Sequence, residues 1–73
     1  MMNLIEAVES GHEQGFKVVF NANFINSSNN DVQNVKVRYY EGRSKKEDFV
    51  IQDTMENIIS QQIYLISKKI VNI

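Results

Sequence analysis

The chain contains no cysteine, no proline and no tryptophan, and one histidine stands among its 73 residues. Without cysteine, neither a disulfide bond nor a thiolate metal site can form, and one histidine cannot supply an imidazole cluster. A chain of this length buries only about 60–65% of the surface that its unfolded state exposes. We therefore expect one small domain over residues 1–73, stabilised by good packing or by association with another chain.

Long apolar runs are also missing, since no stretch approaches the roughly 18 apolar residues that predict a membrane-spanning helix. The N-terminus has no basic segment leading into an apolar run, so it does not resemble a signal peptide. These absences predict a cytoplasmic protein with no membrane partner. The formal net charge of −1 provides no overall field that attracts nucleic acid, so any electrostatic preference must be local.

Alternation of apolar and polar residues predicts three strands. The first covers residues 16–25, where every even position is apolar, as expected of a half-buried strand. A second strand over 34–40 places Val35, Val37 and Tyr39 on one face, and a short third strand over 49–51 has Val50 pointing outward. A polar loop over 26–31 and a turn over 41–46 connect them.

Capping-box spacings predict a helix at each end of the chain. Asn3 with Glu6 begins a helix over 4–11, which Gly11 and Gly15 are expected to stop. Asp53 with Glu56 begins a helix over about 54–70. Its expected buried stripe consists of Met55, Ile58, Ile59, Ile63, Ile66 and Ile70. Residues 62–66 alone also fit a strand, but length and capping favour the helix.

These elements predict an α+β fold: a three-stranded antiparallel meander with two helices on one face, in the order α-β-β-β-α. The other sheet face is then left towards water. His12, with Glu9 and Glu13, is the one grouping that resembles a metal or acid-base site, but the second histidine of a zinc-binding helix is missing. We expect His12 to interact with carbonyls at the helix end. No catalytic residue, cofactor or metal ion is predicted, and an enzyme is the least favoured class.

The open sheet face carries the predicted binding residues, which combine charge, apolar area and an aromatic ring. Lys17 is expected to face Lys36 or Arg38 across the first two strands, and Ile25 is expected beside them. The partner-binding set is Lys17, Val19, Lys36, Arg38, Tyr40 and Val50. A basic turn over 42–46 adds a predicted nucleic-acid contact through Arg43, Lys45 and Lys46.

The first function predicted from these features is a small non-enzymatic accessory or regulatory protein that binds another protein. Two alternatives remain open: a nucleic-acid-binding module that uses the same face with the basic turn, and a homodimeric structural domain. Many asparagines and isoleucines without proline are typical of an AT-rich coding genome, such as that of a low-GC bacterium or its phage.

The order of elements resembles the double-stranded RNA-binding domain, which has a similar length. That family opens its second helix with lysines that contact phosphates, whereas this chain has Asp53, Thr54, Met55 and Glu56 there, an acidic turn that repels the backbone. The layout, without any matched motif, also resembles small phage-borne inhibitors such as some anti-CRISPR proteins. That resemblance implies a protein that occupies a nucleic-acid site on a host enzyme, and it assigns no residue.

Overall fold

A computed structural model describes residues 2–70 and confirms the predicted α+β fold. The elements are α1 (Leu4–Glu13), β1 (Lys17–Asn21), β2 (Val32–Glu41), β3 (Ser44–Thr54) and α2 (Met55–Lys68). The strands form one antiparallel sheet in the order β1-β2-β3. Both helices pack on one face of this sheet, α1 over β1 and β2, and α2 over β2 and β3.

Helix α1 begins with the predicted capping box. The Asn3 side chain accepts a hydrogen bond of 2.8 Å from the backbone N–H of Glu6, whose carboxylate accepts one of 3.2 Å from the N–H of Asn3. The helix is longer than the predicted 4–11, because Gly11 does not stop it. Gly11 is buried inside the helix, and the chain leaves the helix at Gly15, which has a φ of 82°. Glycine adopts this conformation without the steric cost of a Cβ.

Strand β1 is shorter than the predicted 16–25, although its alternation is confirmed. Val18 and Phe20 are buried, with Phe16 and Phe24 half-buried at either side of the strand. The chain turns away after β1 at Asn26, which has a φ of 59°. Ile25 lies in this turn and is 76% exposed, so its predicted place on the open sheet face is wrong.

Strand β3 is longer than the predicted 49–51 because the preceding turn is shorter than predicted. Only Gly42 and Arg43 connect β2 to β3, and Gly42 has the positive φ, 62°, that tight hairpin turns favour. The predicted turn over 41–46 is therefore wrong: Lys45 and Lys46 belong to β3. A register shift between Tyr39 and Tyr40 accommodates an extra residue in β3.

Helix α2 begins one residue later than predicted, because Thr54 rather than Asp53 is the N-cap. The Thr54 hydroxyl accepts a hydrogen bond of 3.3 Å from the N–H of Asn57, so the predicted capping box of Asp53 and Glu56 is wrong. Carbonyls of the loop between β1 and β2 accept from the first two donors of the helix: Asp31 from the N–H of Met55 and Asn29 from that of Glu56. Residues 62–66 are helical, which decides between the helix and the strand.

The buried face of α2 differs from the predicted isoleucine stripe. Ile58, Gln61 and Leu65 are buried, whereas Ile63 and Ile66 are 62% and 60% exposed. Gln61 is accommodated in this face because its amide is satisfied: its oxygen accepts a hydrogen bond of 3.2 Å from the N–H of Ile5. The helix therefore rests on the sheet through the side marked by a polar residue, and the isoleucine-rich side faces outward.

Candidate binding face

The register of the sheet brings all six predicted partner-binding residues to the open face. Val19 pairs with Arg38 between β1 and β2, and Lys36 pairs with Val50 between β2 and β3. Lys17 pairs with Tyr40, so its predicted position opposite Lys36 or Arg38 is wrong. This pairing is relevant to binding, because it places the cationic Lys17 beside the aromatic ring of Tyr40 at one end of the face.

The open face is uneven in shape. Val50 is 52% exposed, whereas Val19 and Tyr40 are half-buried by their neighbours. Between β1 and β2 lies a shallow depression of about 140 Å³, with Lys36 and Arg38 on its wall. This depression has room for one small group or side chain of a partner, but it is smaller than the usual ligand cavity of about 300–1,000 Å³.

Positive charge predominates on this face. Four basic residues, Lys17, Lys36, Arg38 and Lys45, share it with one acidic residue, Asp48, which gives an excess of three positive charges. The Asp48 carboxylate lies 3.7 Å from the Lys36 ammonium and 3.4 Å from that of Lys45. Within residues 2–70, neither Lys17 nor Arg38 has a carboxylate within 4.0 Å. Two cations are thus left to interact with a partner.

The predicted nucleic-acid residues do not form one cluster. Arg43 lies at the tip of the two-residue turn, and Lys45 lies on the open face. The Lys46 ammonium is 3.3 Å from the Glu41 carboxylate. Because these cations are dispersed and two of them have acidic neighbours, the basic turn is a weaker phosphate site than the sequence suggests.

Sequence reasoning missed several members of the open face. Val32, which is 59% exposed, lies at one end of it, and Asn34 pairs there with Gln52 through a side-chain hydrogen bond of 3.3 Å. Because the third strand was predicted too short, Asp48 was missed and Lys45 was assigned to the turn instead of to the strand. Asn34 could have been included from the sequence, because it lies two residues before Lys36 in the same predicted strand and therefore on the same face.

A second cleft, of about 220 Å³, lies on the helical side of the sheet between α1 and β3. Tyr39 forms part of its floor, and its hydroxyl donates a 2.5 Å hydrogen bond to the carbonyl of Ala7. Burial raises the pKa of Tyr39, the Ser10 side chain opposes this by a smaller amount, and the nearby Glu47 carboxylate adds the smallest contribution, which also raises it. Because the hydroxyl stays protonated and bonds to α1, this tyrosine connects the helix to the sheet.

His12 also connects elements of the fold. Its Nε2 atom lies 2.8 Å from the carbonyl oxygen of Ile70, so it contacts the end of α2 as well as belonging to α1. Among residues 2–70, no three His, Asp or Glu side chains converge in an arrangement that could hold a metal ion. The two described helices are both too short or too polar to cross a membrane.

Comparisons of this chain with protein-family models, with curated proteins and with solved structures found no match.

Proposed function

We propose that this protein is a small non-enzymatic accessory or regulatory protein that binds an acidic surface of another protein through its open sheet face. The observation that supports this proposal is the register of the sheet, which groups Lys17, Val19, Lys36, Arg38, Tyr40 and Val50 on one uncovered surface. Both helices, which form the second layer of the fold, pack on the opposite face of the sheet. These six side chains are therefore not needed to build the core.

The chemistry of the face fits a protein partner better than a small ligand. Tyrosine and arginine are enriched at the centres of protein interfaces, where a few such residues supply most of the binding free energy. Here Arg38 has no carboxylate within 4.0 Å in the described part of the chain, and Tyr40 is half-buried next to Lys17. The excess of positive charge favours an acidic partner surface and speeds encounter with it.

A charge-reversal pair tests this proposal. Tagged wild-type protein is used to capture partners, and the same capture is repeated with Arg38→Glu and with the control Lys68→Glu on α2. We expect a partner that Lys68→Glu retains and Arg38→Glu loses, with at least a tenfold change in Kd when binding is measured with the purified pair. Equal retention by both variants would contradict the proposal, provided that circular dichroism shows both to be folded.

Nucleic-acid binding is a second candidate, supported by the two cations of the face that lack a carboxylate and by Arg43 at the turn. If these three residues contact phosphates, log K for a labelled single-stranded oligonucleotide should fall with log salt with a slope of about −2, from about −0.7 for each contact. A slope near that value, reduced by Arg43→Gln, would favour nucleic acid. Partner capture that is unaffected by added oligonucleotide would favour the protein.

The proposed regulatory role includes that of an inhibitor carried by a phage or other mobile element, which the order of the elements suggests. An inhibitor that occupies a site on a host enzyme should act at a stoichiometric ratio, and its effect should be lost in Arg38→Glu. Titration of the captured enzyme with wild-type protein and with this variant measures both properties. An activity that is unchanged at several equivalents would contradict the inhibitor role and leave the binding proposal to the capture experiment.

A further inference from the structure

The cleft between α1 and β3 is left unfilled by the fold. Its lining comes from the start of the chain, from α1 and from the sheet: Met2, Ser10, Gln14, Tyr39, Glu47 and Phe49. Glu47 pairs with Tyr39 across β2 and β3, and Phe49 follows two residues later, so these three residues share the helical face of the sheet. At about 220 Å³, the cleft has room for roughly seven groups of the size of a water molecule, at about 30 Å³ each.

The floor of the cleft is apolar and aromatic. The rings of Tyr39 and Phe49 lie at 88° to each other, with their centroids 5.1 Å apart. Phe49 is half-buried and Met2 is 40% exposed, so both still present apolar surface to solvent. A short hydrocarbon chain that covers this surface is removed from water together with it, which favours binding.

The polar atoms that remain available in the lining are hydrogen-bond acceptors. The Gln14 amide nitrogen donates to the hydroxyl and to the carbonyl oxygen of Ser10, each at 3.2 Å. Within residues 2–70, the Gln14 amide oxygen accepts no hydrogen bond, and the Glu47 carboxylate has no cation within 4.0 Å. A ligand that donates hydrogen bonds therefore fits this cleft better than one that only accepts them.

The charge around the cleft favours a cation. Glu6 lies four residues before Ser10 and Glu13 three residues after it, so both are neighbours of Ser10 on the surface of α1. With Glu47 they place three carboxylates on this side of the molecule. In the described part of the chain, none of the three lies within 4.0 Å of a lysine or arginine nitrogen. The cleft therefore attracts an ammonium ion and repels an anion.

We propose that this cleft binds a small free amine in its ammonium form, with an apolar stem of about five carbons. The stem lies against Met2 and Phe49, and the ammonium group donates to the Glu47 carboxylate and the Gln14 amide oxygen. Such an amine has about six non-hydrogen atoms, which matches the roughly seven water-sized groups that the cleft holds. A free molecule is favoured over a side chain of a protein because the cleft is concave, as small-molecule sites are.

Titration of the full chain with n-pentylamine near neutral pH, followed by NMR, tests the site. The amine is charged there, because its pKa is close to the value of about 10.4 for lysine. We expect the resonances of the Met2 methyl group and the Phe49 ring to shift, with a Kd in the millimolar range. The alcohol 1-pentanol, which has the same stem without the charge, should bind about threefold to fivefold more weakly. Pentanoate, whose charge is opposite, should bind more weakly still.

A matched pair of variants tests the role of the carboxylate. Glu47→Gln should weaken binding of n-pentylamine by about threefold to fivefold and leave binding of 1-pentanol unchanged. Glu41→Gln removes a carboxylate from the same hairpin, but Glu41 lies 3.3 Å from the Lys46 ammonium and does not line the cleft. This control should leave both ligands unaffected. Both glutamates are exposed, so both variants should fold, which circular dichroism checks.

Four results would overturn the proposal. The first is that n-pentylamine in large excess leaves the Met2 and Phe49 resonances unshifted, or shifts only residues of the open face. The second is equal affinity for n-pentylamine and 1-pentanol. The third is an equal effect of Glu47→Gln and Glu41→Gln, which would indicate attraction by overall charge. The fourth is tighter binding of Nα-acetyl-lysine methylamide, which would assign the cleft to a lysine side chain of a protein. The cleft and the open face lie on opposite sides of the sheet, so failure here leaves the proposed function untouched.

Discussion

Replacing Gly11 with alanine is a sharp test of the packing between α1 and the sheet. A Cβ atom at this position would lie 2.3 Å from Cγ2 of Val18 and 2.8 Å from Cε1 of Tyr39. Both neighbours are buried, with Val18 0% and Tyr39 2% exposed, so neither can swing into solvent. The helix must therefore move away from the sheet or the side chains must leave their preferred rotamers.

The expected loss of stability in Gly11→Ala is the balance of three contributions. Overpacking a core costs about 1–3 kcal/mol. Shifting the Tyr39 ring also weakens its hydrogen bond to Ala7, which is worth about 1 kcal/mol. Alanine improves on glycine within a helix by about 1 kcal/mol, which offsets part of the loss. Gly11→Ala should therefore destabilise the protein by about 1–3 kcal/mol, out of roughly 4–11 kcal/mol expected for 73 residues.

Urea unfolding followed by circular dichroism measures this change, and each kcal/mol should also lower Tm by about 4–8 °C. Val18→Ala removes the methyl group that lies nearest to the new Cβ, so the double variant should be less destabilised than the sum of the single variants, by at least about 0.5 kcal/mol. If Gly11→Ala instead stabilised the protein by about 1 kcal/mol, as at an exposed helix position, the close packing described here would be refuted.

Three further variants test single hydrogen bonds. Thr54→Ala should cost about 1 kcal/mol in urea unfolding through loss of the N-cap of α2, and a loss no larger than at an ordinary surface position would contradict that cap. The side-chain hydrogen bond from Asn57 lowers the pKa of Asp53, and the hydrogen bond from the backbone N–H of Thr54 lowers it further. The stability that the Asp53 carboxylate contributes is present above about pH 4 and is lost as pH falls through the lowered pKa. Asp53→Asn should flatten the acid limb of a stability–pH curve, and an unchanged limb would count against this assignment. Because burial raises the pKa of Tyr39, the stability that its protonated hydroxyl contributes is present below about pH 10 and is lost at higher pH. Tyr39→Phe should remove that alkaline loss and cost about 1 kcal/mol at neutral pH, and an alkaline limb that persists in the variant would show that Tyr39 does not cause it.

The sheet was predicted well because strand parity depends on local sequence alone. Val35, Val37 and Tyr39 point into the core, and every second residue between them points out, whatever the exact length of the strand. Strand ends were predicted poorly because they depend on partners distant in sequence. β3 extends to Ser44 because β2 pairs with it there. Residues 44–48 show no alternation of apolar and polar residues that would predict a strand.

The buried side of α2 could not be read from periodicity because two sides of this helix carry apolar residues. The isoleucines give the stronger signal, yet Ile63 and Ile66 face outward. Gln61 is the residue that marks the buried side, since it donates to the Asp53 carboxylate and accepts from the N–H of Ile5. These partners lie in other elements, so a sequence pattern within α2 has no means of showing them.

The small net charge of the chain conceals a separation of charge between its two layers. Helix α1 contributes Glu6, Glu9 and Glu13 on the helical side of the sheet, whereas the open face has its excess of three positive charges on the other side. A formal net charge of −1 therefore describes a molecule with one acidic and one basic side rather than an uncharged one. Such a molecule orients in the field of a charged partner, so its association rate should fall with salt even when net charges predict little attraction. An acidic partner surface would therefore meet the sheet face first.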